Sequence, residues 1–376
     1  MIAPADPDLR LTAAQAPVAD VLAASTSARH PRAPTLHDVA QAAGVSTATV
    51  SRALNRPDTV REPLRQRVRV AAEQLRYIPN DAARALVSQR SRVLGAIVPT
   101  LDNANFAQGV AAIQARVEAA GYGLLLAACD YDLDRELVQA HMMVARGIEA
   151  LVLVGTLHRP ALRQLLREHR IPYVCQGAFA LREEPHCVGF DNRRAGYLAT
   201  RYLLELGHRR IGMIAGPRRD NDRAEGRVAG VHAALVDAGL APAGEPPATG
   251  AAEAAWLVES SYAFDAARAA AHAMLTRTVT PTALVCGNDI LALGALRECQ
   301  SRGWAVPAQV SIIGFDDLAL ARQATPALTT VRVSTTRMGE AAADFLLTTL
   351  AGQTATAVEI PFKLVIRAST GPAPLV

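Results

Sequence analysis

The sequence predicts two architectures in one chain: an N-terminal all-α helix-turn-helix segment and a longer α/β region with parallel sheets. In residues 35–54, apolar side chains recur at helical spacing on both sides of Gly44. From residue 93 onward, short apolar strands alternate with amphipathic helices, and this rhythm restarts after Gly189. Such alternation is typical of parallel sheets covered by helices on both faces. We therefore expect a small helical domain followed by two α/β halves.

The helical segment contains capping residues at the expected places. Thr35 can cap a first helix, and Asp38 three residues later comes close to a capping-box pattern. Gly44 follows the last apolar residue of this helix, where the chain needs a left-handed turn. Ser46 can then cap a second helix, Thr47–Leu54. The apolar side chains that are expected to face each other between the two helices are Leu36, Val39, Ala40, Ala43, Val45, Val50 and Leu54.

A third helix is predicted over Glu62–Arg76, with Pro63 in its first turn. Its apolar stripe consists of Leu64, Val68, Ala71 and Leu75. This stripe can close a three-helix core. The outer face of the second helix carries short hydroxyl, amide and guanidinium groups that can reach phosphates and base edges in a major groove. An ordinary packed pair of helices is the alternative.

Two segments, TLHDVAQAAGVSTATVSRALN and YIPNDAARAL, together resemble the headpiece and hinge of the LacI/GalR family of bacterial repressors. The resemblance continues over about nine-tenths of the chain. PTLDNANF, VGFDN, SSY, RECQSRG and TRMGE resemble the gluconate-repressor branch more than the ribose or purine branches. The resemblance implies a sequence-specific transcriptional repressor, and not an enzyme. It also implies that a small metabolite, a sugar acid such as gluconate or a sugar, binds between two lobes of a homodimer and controls operator affinity.

The family resemblance implies a set of DNA-binding residues. They are Thr35, Ser46, Thr47, Ala48, Thr49, Ser51, Arg52, Asn55, Asn80, Ala83 and Leu86. Arg52 could pair bidentately with a guanine, and Ala48 offers a methyl group to a thymine. By resemblance, Leu86 is a wedge between base pairs in the minor groove. The short hinge helix that Asn80 can cap is expected to order only on DNA.

The predicted domains follow from these segments. Residues 1–34 are expected to be a disordered arm, 35–78 the headpiece, and 79–92 a hinge helix and linker. Residues 93–376 are expected to form an effector-binding and dimerisation domain that resembles the two-lobed periplasmic sugar-binding proteins. Its N-lobe would comprise about 93–190 plus about 334–356, and its C-lobe about 191–333 plus about 357–376, with three crossings of the chain. The predicted strands are Val93–Pro99, Gly123–Cys129, Ala150–Val154, Pro172–Cys175, Arg210–Ile214, Ala283–Cys286, Val310–Phe315 and Leu328–Val333.

Ligands of open α/β sheets bind beyond the carboxyl ends of the strands. The effector-binding residues predicted on this rule and on the resemblance are Phe106, Asp191, Arg227, Tyr262, Asn288 and Asp316. Arg227, Asn288 and Asp316 would bond ligand hydroxyls or a carboxylate. Asp191 and Asn288 can equally be helix caps. His208, another position of the resemblance, is expected to be structural.

The net charge of +4 is unevenly distributed. Residues 35–92 hold ten arginines and five acids, which is a balance of +5, whereas residues 1–34 balance at zero and the remainder at −1. The positive field therefore coincides with the predicted DNA-binding segment. The cysteines, Cys129, Cys175, Cys187, Cys286 and Cys299, have no metal-ligand spacing. We expect no cofactor, no metal and no membrane partner, and a reducing cytoplasmic location at the nucleoid.

Two other protein classes were weighed against this interpretation. An α/β enzyme would need a phosphate loop, an activated nucleophile or a metal motif, and none is recognisable. An exported binding protein would need a signal segment, but Asp6, Asp8, Pro17 and Asp20 interrupt the first 34 residues. The chain ends without a heptad repeat, so a dimer on a near-palindromic operator is expected. The residues are compatible with either an inducer or a corepressor as the effector.

Overall fold

The computed structural model of this chain describes residues 32–79, 90–180, 184–241, 244 and 256–375. The chain divides into two units, Met1–Val87 and Ser88–Val376. Residues 1–31 of the predicted arm and the hinge positions Asn80, Ala83 and Leu86 lie outside the described residues.

The first unit contains the three predicted helices. They are α1 (Leu36–Ala43), α2 (Thr47–Asn55) and α3 (Glu62–Gln74), with a short 3₁₀ turn at Pro57–Thr59. The capping box is present, because the Asp38 N–H donates to Thr35 Oγ1 at 3.4 Å and the Thr35 N–H donates back to the Asp38 carboxylate. The backbone N–H and the hydroxyl of Thr35 both donate to Asp38 Oδ2 at 2.7 Å. These bonds lower the pKa of Asp38. Gly44 has φ 62°, as the left-handed end of α1 requires.

The core of the headpiece is small and drawn from all three helices. Its buried members are Val39, Ala40, Ala43, Val50, Ala53, Val68 and Ala71. The third helix was predicted to reach Arg76, but it ends at Gln74. Arg76 takes a left-handed conformation, φ 50°, and the Tyr77 N–H then bonds the Ala72 carbonyl at 2.9 Å. That bond turns the chain, so Tyr77 packs against the core instead of extending the helix.

The second unit contains two sheets. Sheet I has the order β11-β5-β4-β3-β1-β2 and is parallel throughout. Its strands are β1 (Val93–Val98), β2 (Gly123–Ala128), β3 (Ala150–Val154), β4 (Tyr173–Gln176), β5 (Cys187–Gly189) and β11 (Val358–Glu359). The helices of this lobe are α4 (Ala104–Ala119), α5 (Leu133–Ala145), α6 (Pro160–Glu168) and α12 (Thr335–Leu350). Buried apolar side chains cover both faces, as a parallel sheet requires.

Sheet II has the order β12-β10-β9-β8-β6-β7. Its strands are β6 (Ile211–Ala215), β7 (Leu257–Glu259), β8 (Ala283–Cys286), β9 (Ser311–Phe315), β10 (Thr329–Val333) and β12 (Phe362–Val365). Only β12 among these described strands is antiparallel. The helices of this lobe are α7 (Asn192–Glu205), α8 (Asp222–Asp237), α9 (Phe264–Leu275), α10 (Asp289–Ser301) and α11 (Ala319–Gln323).

The chain passes between the sheets three times in its described part. The passages follow β5, β10 and β11. The last passage was predicted near residue 356, but β11 pairs with β5 in sheet I as far as Glu359. The eight predicted strands are present with ends shifted by at most one residue, whereas β5, β7, β11 and β12 were missed. The missed strands have two to four residues, too few to show a periodic pattern.

His208 connects separate segments of the sheet II lobe. It is fully buried, its Nε2–H donates to the Gly371 carbonyl at 3.1 Å, and its Nδ1 lies 3.0 Å from the Thr282 hydroxyl. Burial lowers the pKa of His208. The imidazole therefore supports the lobe in its neutral form and lies apart from the cleft between the lobes, as expected for a structural residue.

Acidification is expected to destabilise the second unit through His208. Folding lowers the pKa of His208. The contribution of its neutral imidazole to the free energy of unfolding is therefore complete above the unfolded-state pKa of about 6.5, and it is lost as the pH falls below that value. His208→Gln should lower the free energy of unfolding by about 1–3 kcal/mol at pH 7.5, and should reduce the further loss on going to pH 5. Urea unfolding at both pH values measures this. The exposed His169→Gln is the control, and an unchanged acid loss in His208→Gln would contradict the assignment.

Candidate functional site

The outward face of α2 brings together five of the eight predicted DNA-binding residues that the structure describes. Thr47, Ala48, Arg52 and Asn55 are exposed and Ser51 is half-buried. The Asn55 amide donates to Ser51 Oγ at 3.3 Å, and Arg52 Nε donates to the Ala48 carbonyl at 3.3 Å. These are bonds between residues four apart, so the polar groups form one stripe along the helix.

The remaining predicted residues of the headpiece have local structural roles as well. Thr35 caps α1, and Ser46 caps α2 by accepting from the Thr49 N–H at 3.2 Å. The hydroxyls of Ser46 and Thr49 lie 2.9 Å apart. Not every arginine of this unit is available for phosphate, because Arg67 donates to the Ala43 carbonyl at 2.8 Å and ties α3 to the turn after α1. Contact of the predicted residues with DNA stays a prediction.

A cavity lies between the two sheets of the effector domain. Its empty volume is about 740 Å³, including the part that opens to solvent. Five of the six predicted effector residues line it: Phe106, Arg227, Tyr262, Asn288 and Asp316. Asp191 does not, because its carboxylate caps α7 by accepting from the Arg194 N–H at 2.9 Å. Asp191 is therefore a helix cap, which is the alternative role that the sequence left open for it.

Arg227 is held in a defined orientation. Its Nε donates to Asn192 Oδ1 at 3.0 Å, and Nη1 donates to the Gly287 carbonyl. The guanidinium carbon lies 4.7 Å from the centre of the Phe315 ring, a cation–π distance. A guanidinium fixed by protein contacts loses little freedom when it also binds a ligand.

The carboxyl ends of β8 and β9 supply the acidic side of the cavity. Asn288 caps α10 through the Leu291 N–H at 2.9 Å and also lines the cavity. Burial raises the pKa of Asp316, and the charge of Arg227 opposes that rise. Asp289 beneath them accepts from the Thr330 hydroxyl at 2.6 Å and the Leu318 N–H at 2.7 Å. Burial and the nearby Asp316 raise the pKa of Asp289 to about 8, while the hydrogen bonds from Thr330 and Leu318 oppose that rise.

Several lining residues were missed by the sequence reasoning. They are Asn103, Asn105, Tyr131, Gln176, Asn221 and Arg223 among others. Tyr131 follows β2, and its ring centre lies 5.4 Å from that of Tyr262 in the other lobe. The strand-end rule could have found Tyr131, and helical spacing could have found Arg223, one turn before Arg227 on α8. Burial raises the pKa of both tyrosines, so their hydroxyls are neutral.

The described residues contain no group of three or more His, Cys, Asp or Glu side chains arranged to hold a metal ion. Within the same residues, no helix has the length and apolar character needed to cross a bilayer.

Residues 35–80 match the family described as bacterial regulatory proteins, lacI family, and residues 200–370 match a periplasmic binding protein-like domain. The HTH-type transcriptional repressor PurR of Erwinia tasmaniensis is 34% identical over 315 residues, which are 83% of this chain and 89% of that protein. The chain belongs to the LacI family. It is a LacI-family transcriptional repressor with an effector-binding domain, and its relatives are regulators rather than enzymes.

Solved structures agree with this membership. The lac repressor dimer bound to operator and the anti-inducer ONPF is 27% identical, with a TM-score of 0.78 over 90% of this chain and 100% of that chain. A complex of the transcriptional regulator CelR with cellobiose is 28% identical, with a TM-score of 0.64 over 89% of this chain and 99% of that chain. Both units of this LacI-family repressor, each considered by itself, therefore have counterparts in these solved structures.

Proposed function

We propose that this LacI-family repressor is a homodimer that binds a near-palindromic operator and responds to a sugar acid such as gluconate, with a plain sugar as the alternative ligand. The observation that carries the proposal is the chemistry of the cavity. Aromatic rings line it together with two guanidinium groups, five side-chain amides and a carboxylate. Rings can cover the apolar face of a sugar, and the polar groups suit hydroxyls and a carboxylate.

The charges of the cavity favour the acid over the neutral sugar. Arg223 and Arg227 line it, whereas Asp316 is the carboxylate among its described lining residues, and burial raises the pKa of that carboxylate. Arg223 is partly balanced by Asp222, at 2.8 Å from its Nη1. Arg227 acts electrostatically on Asp316, because its charge opposes the rise in the pKa of that carboxyl. A ligand carboxylate near the arginines and ligand hydroxyls near Asn288 and Asp316 would satisfy both sides.

The homodimer is supported by an apolar surface in the sheet I lobe. β2 is an edge strand of sheet I, and α5, which packs against it, exposes Val138 and Met142 to 65% and 40%. The similar lac repressor structure is a dimer on operator. A second copy that covers this surface would give the two-fold symmetry that a near-palindromic operator requires. Because the proposed partner is operator DNA, we propose that the protein acts at the nucleoid in the cytoplasm.

A thermal-shift screen tests the ligand. Gluconate is expected to raise the melting temperature of the effector domain in proportion to the logarithm of its concentration, and glucose at the same concentration should raise it less. The same screen should include other sugar acids and hypoxanthine. Stabilisation by hypoxanthine alone would contradict the proposal, and stabilisation by glucose equal to that by gluconate would favour the plain sugar.

A further inference from the structure

The two lobes of the effector domain are hydrogen-bonded directly to each other at the start of α8. Asp222 Oδ2 accepts from the Thr156 N–H at 2.7 Å and from the Thr156 hydroxyl at 2.9 Å. The neighbouring Arg223 donates from Nη1 to the Val154 carbonyl at 3.1 Å and to Asp222 Oδ1 at 2.8 Å. Asp222 and Arg223 belong to the sheet II lobe, while Val154 and Thr156 belong to the sheet I lobe. Charged groups take part in every one of these bonds, which makes them stronger than neutral ones.

The loop Val154–Thr156, which the start of α8 contacts, is held by polar contacts within its own lobe. The Thr156 carbonyl accepts from Arg163 Nη2 at 2.9 Å, and Arg163 Nη1 lies 3.1 Å from the fully buried Glu184. The ring of His158 lies 2.8 Å from Glu136 and 3.2 Å from the Gly155 carbonyl. Because buried groups hold the loop from the sheet I side, it is already positioned to accept Asp222.

Because Gly155 has no side chain, the side chains of Asp222 and Arg223 can occupy the space beside it. A Cβ at this position would overlap the carboxylate of Asp222 and the guanidinium of Arg223. Its φ of 88° is also a conformation that side chains rarely adopt. The contact between the lobes therefore depends on a glycine in one lobe and a charged pair in the other.

We propose that Asp222, Arg223 and the loop Val154–Thr156 form an interlobe latch that favours the closed arrangement of the lobes by protein contacts alone. Asp222 is then a positioning residue. Its bonds raise the population of the closed state, and the apparent affinity of any ligand that binds this state increases with that population. The consequence for DNA binding rests on the proposed function, whereas the latch itself is a property of the effector domain.

The test measures the distance between the lobes without ligand or DNA. Spin labels are attached to cysteines introduced by His169→Cys and Ala273→Cys, two exposed positions in different lobes, and the native cysteines are buried. Asp222→Asn and Thr156→Val should each lower the closed-to-open ratio roughly tenfold, the effect of losing one or two hydrogen bonds. A distance distribution identical to that of the unsubstituted domain would overturn the latch. The measurement contains no ligand, so its outcome does not depend on whether gluconate binds. It therefore tests the latch even if the proposed ligand is wrong.

Matched controls separate the latch from general destabilisation. Gly155→Ala should open the lobes, whereas Gly147→Ala should not, because Gly147 has a similar φ of 77° but no atom within 4 Å of a Cβ. Asp265→Asn removes an exposed acid from the first turn of α9 and controls for the helix dipole at Asp222. Equal opening in Gly147→Ala and Gly155→Ala, or in Asp265→Asn and Asp222→Asn, would also overturn the latch.

Discussion

Replacing Arg227 with alanine is expected to weaken effector binding by roughly 100-fold, which corresponds to about 3 kcal/mol. Hydrogen bonds to charged groups contribute about 1.5–3 kcal/mol each, and an Arg fork can make two of them to one carboxylate. The loss should be larger for a sugar acid than for its neutral analogue. Isothermal titration of wild type and variant, with the ligand that stabilises the wild type, measures the change.

The same substitution has an electrostatic consequence for Asp316. Arg227 opposes the rise in the pKa of Asp316 that burial causes. Without the guanidinium this pKa should rise further, so the carboxylate would be neutral up to a higher pH. The pH at which residual binding changes with the ionisation of Asp316 should therefore be higher in Arg227→Ala than in the wild type.

Asp191→Ala is the matched control for Arg227→Ala. Asp191 belongs to the same predicted set, but it caps α7 outside the cavity lining. Its loss should cost about 1 kcal/mol of stability and leave ligand affinity unchanged. The role assigned to Arg227 is wrong if its variant keeps wild-type affinity, or if the Asp191 variant loses as much.

The second large effect is expected in the headpiece. Arg52→Ala should weaken binding to the operator by roughly tenfold to 100-fold, because a bidentate guanine contact contributes about 1–3 kcal/mol of discrimination. Arg52 is exposed on α2, and only its Nε is bonded within the described structure, to the Ala48 carbonyl. Its remaining guanidinium edge can therefore reach a base. Fluorescence anisotropy at fixed salt, on the operator and on single-base variants, measures both affinity and base preference.

Arg69→Ala controls for the loss of one positive charge. Arg69 is exposed on α3 and lies 3.9 Å from Glu73, a weak surface pair. Its removal should weaken binding to operator and random DNA to a similar, small extent. If Arg52→Ala also weakened both duplexes equally, Arg52 would be a phosphate contact and not a base-reading residue.

The residues that sequence analysis located well are those whose role is local. A capping threonine followed by an acid marks the start of α1, and a glycine marks its end, because these groups satisfy backbone atoms within a few residues. The apolar strands of both sheets were found for a related reason. A strand buried on both faces needs several consecutive apolar residues, and that run is visible in the chain.

The errors concern residues whose role depends on distant partners. Asp191 and Asn288 both follow a strand and both cap a helix, yet only Asn288 lines the cavity. Nothing in their immediate sequence distinguishes them, because the difference is the position of each strand end relative to the other lobe. The short strand β11 was missed for a similar reason, since its pairing with β5 joins residues far apart in the chain.

The amino-acid sequence by itself determined the helical headpiece, the two α/β halves, the concentration of positive charge on residues 35–92 and the family resemblance. Periodicity, capping and charge are properties of neighbouring residues, so they can be read along the chain. Only the tertiary structure decided that Tyr131 and Arg223 share a cavity with Arg227, and that Asp222 bonds Thr156 across the lobes. Those contacts depend on how two sheets face each other, a geometry produced by the packing of the whole domain.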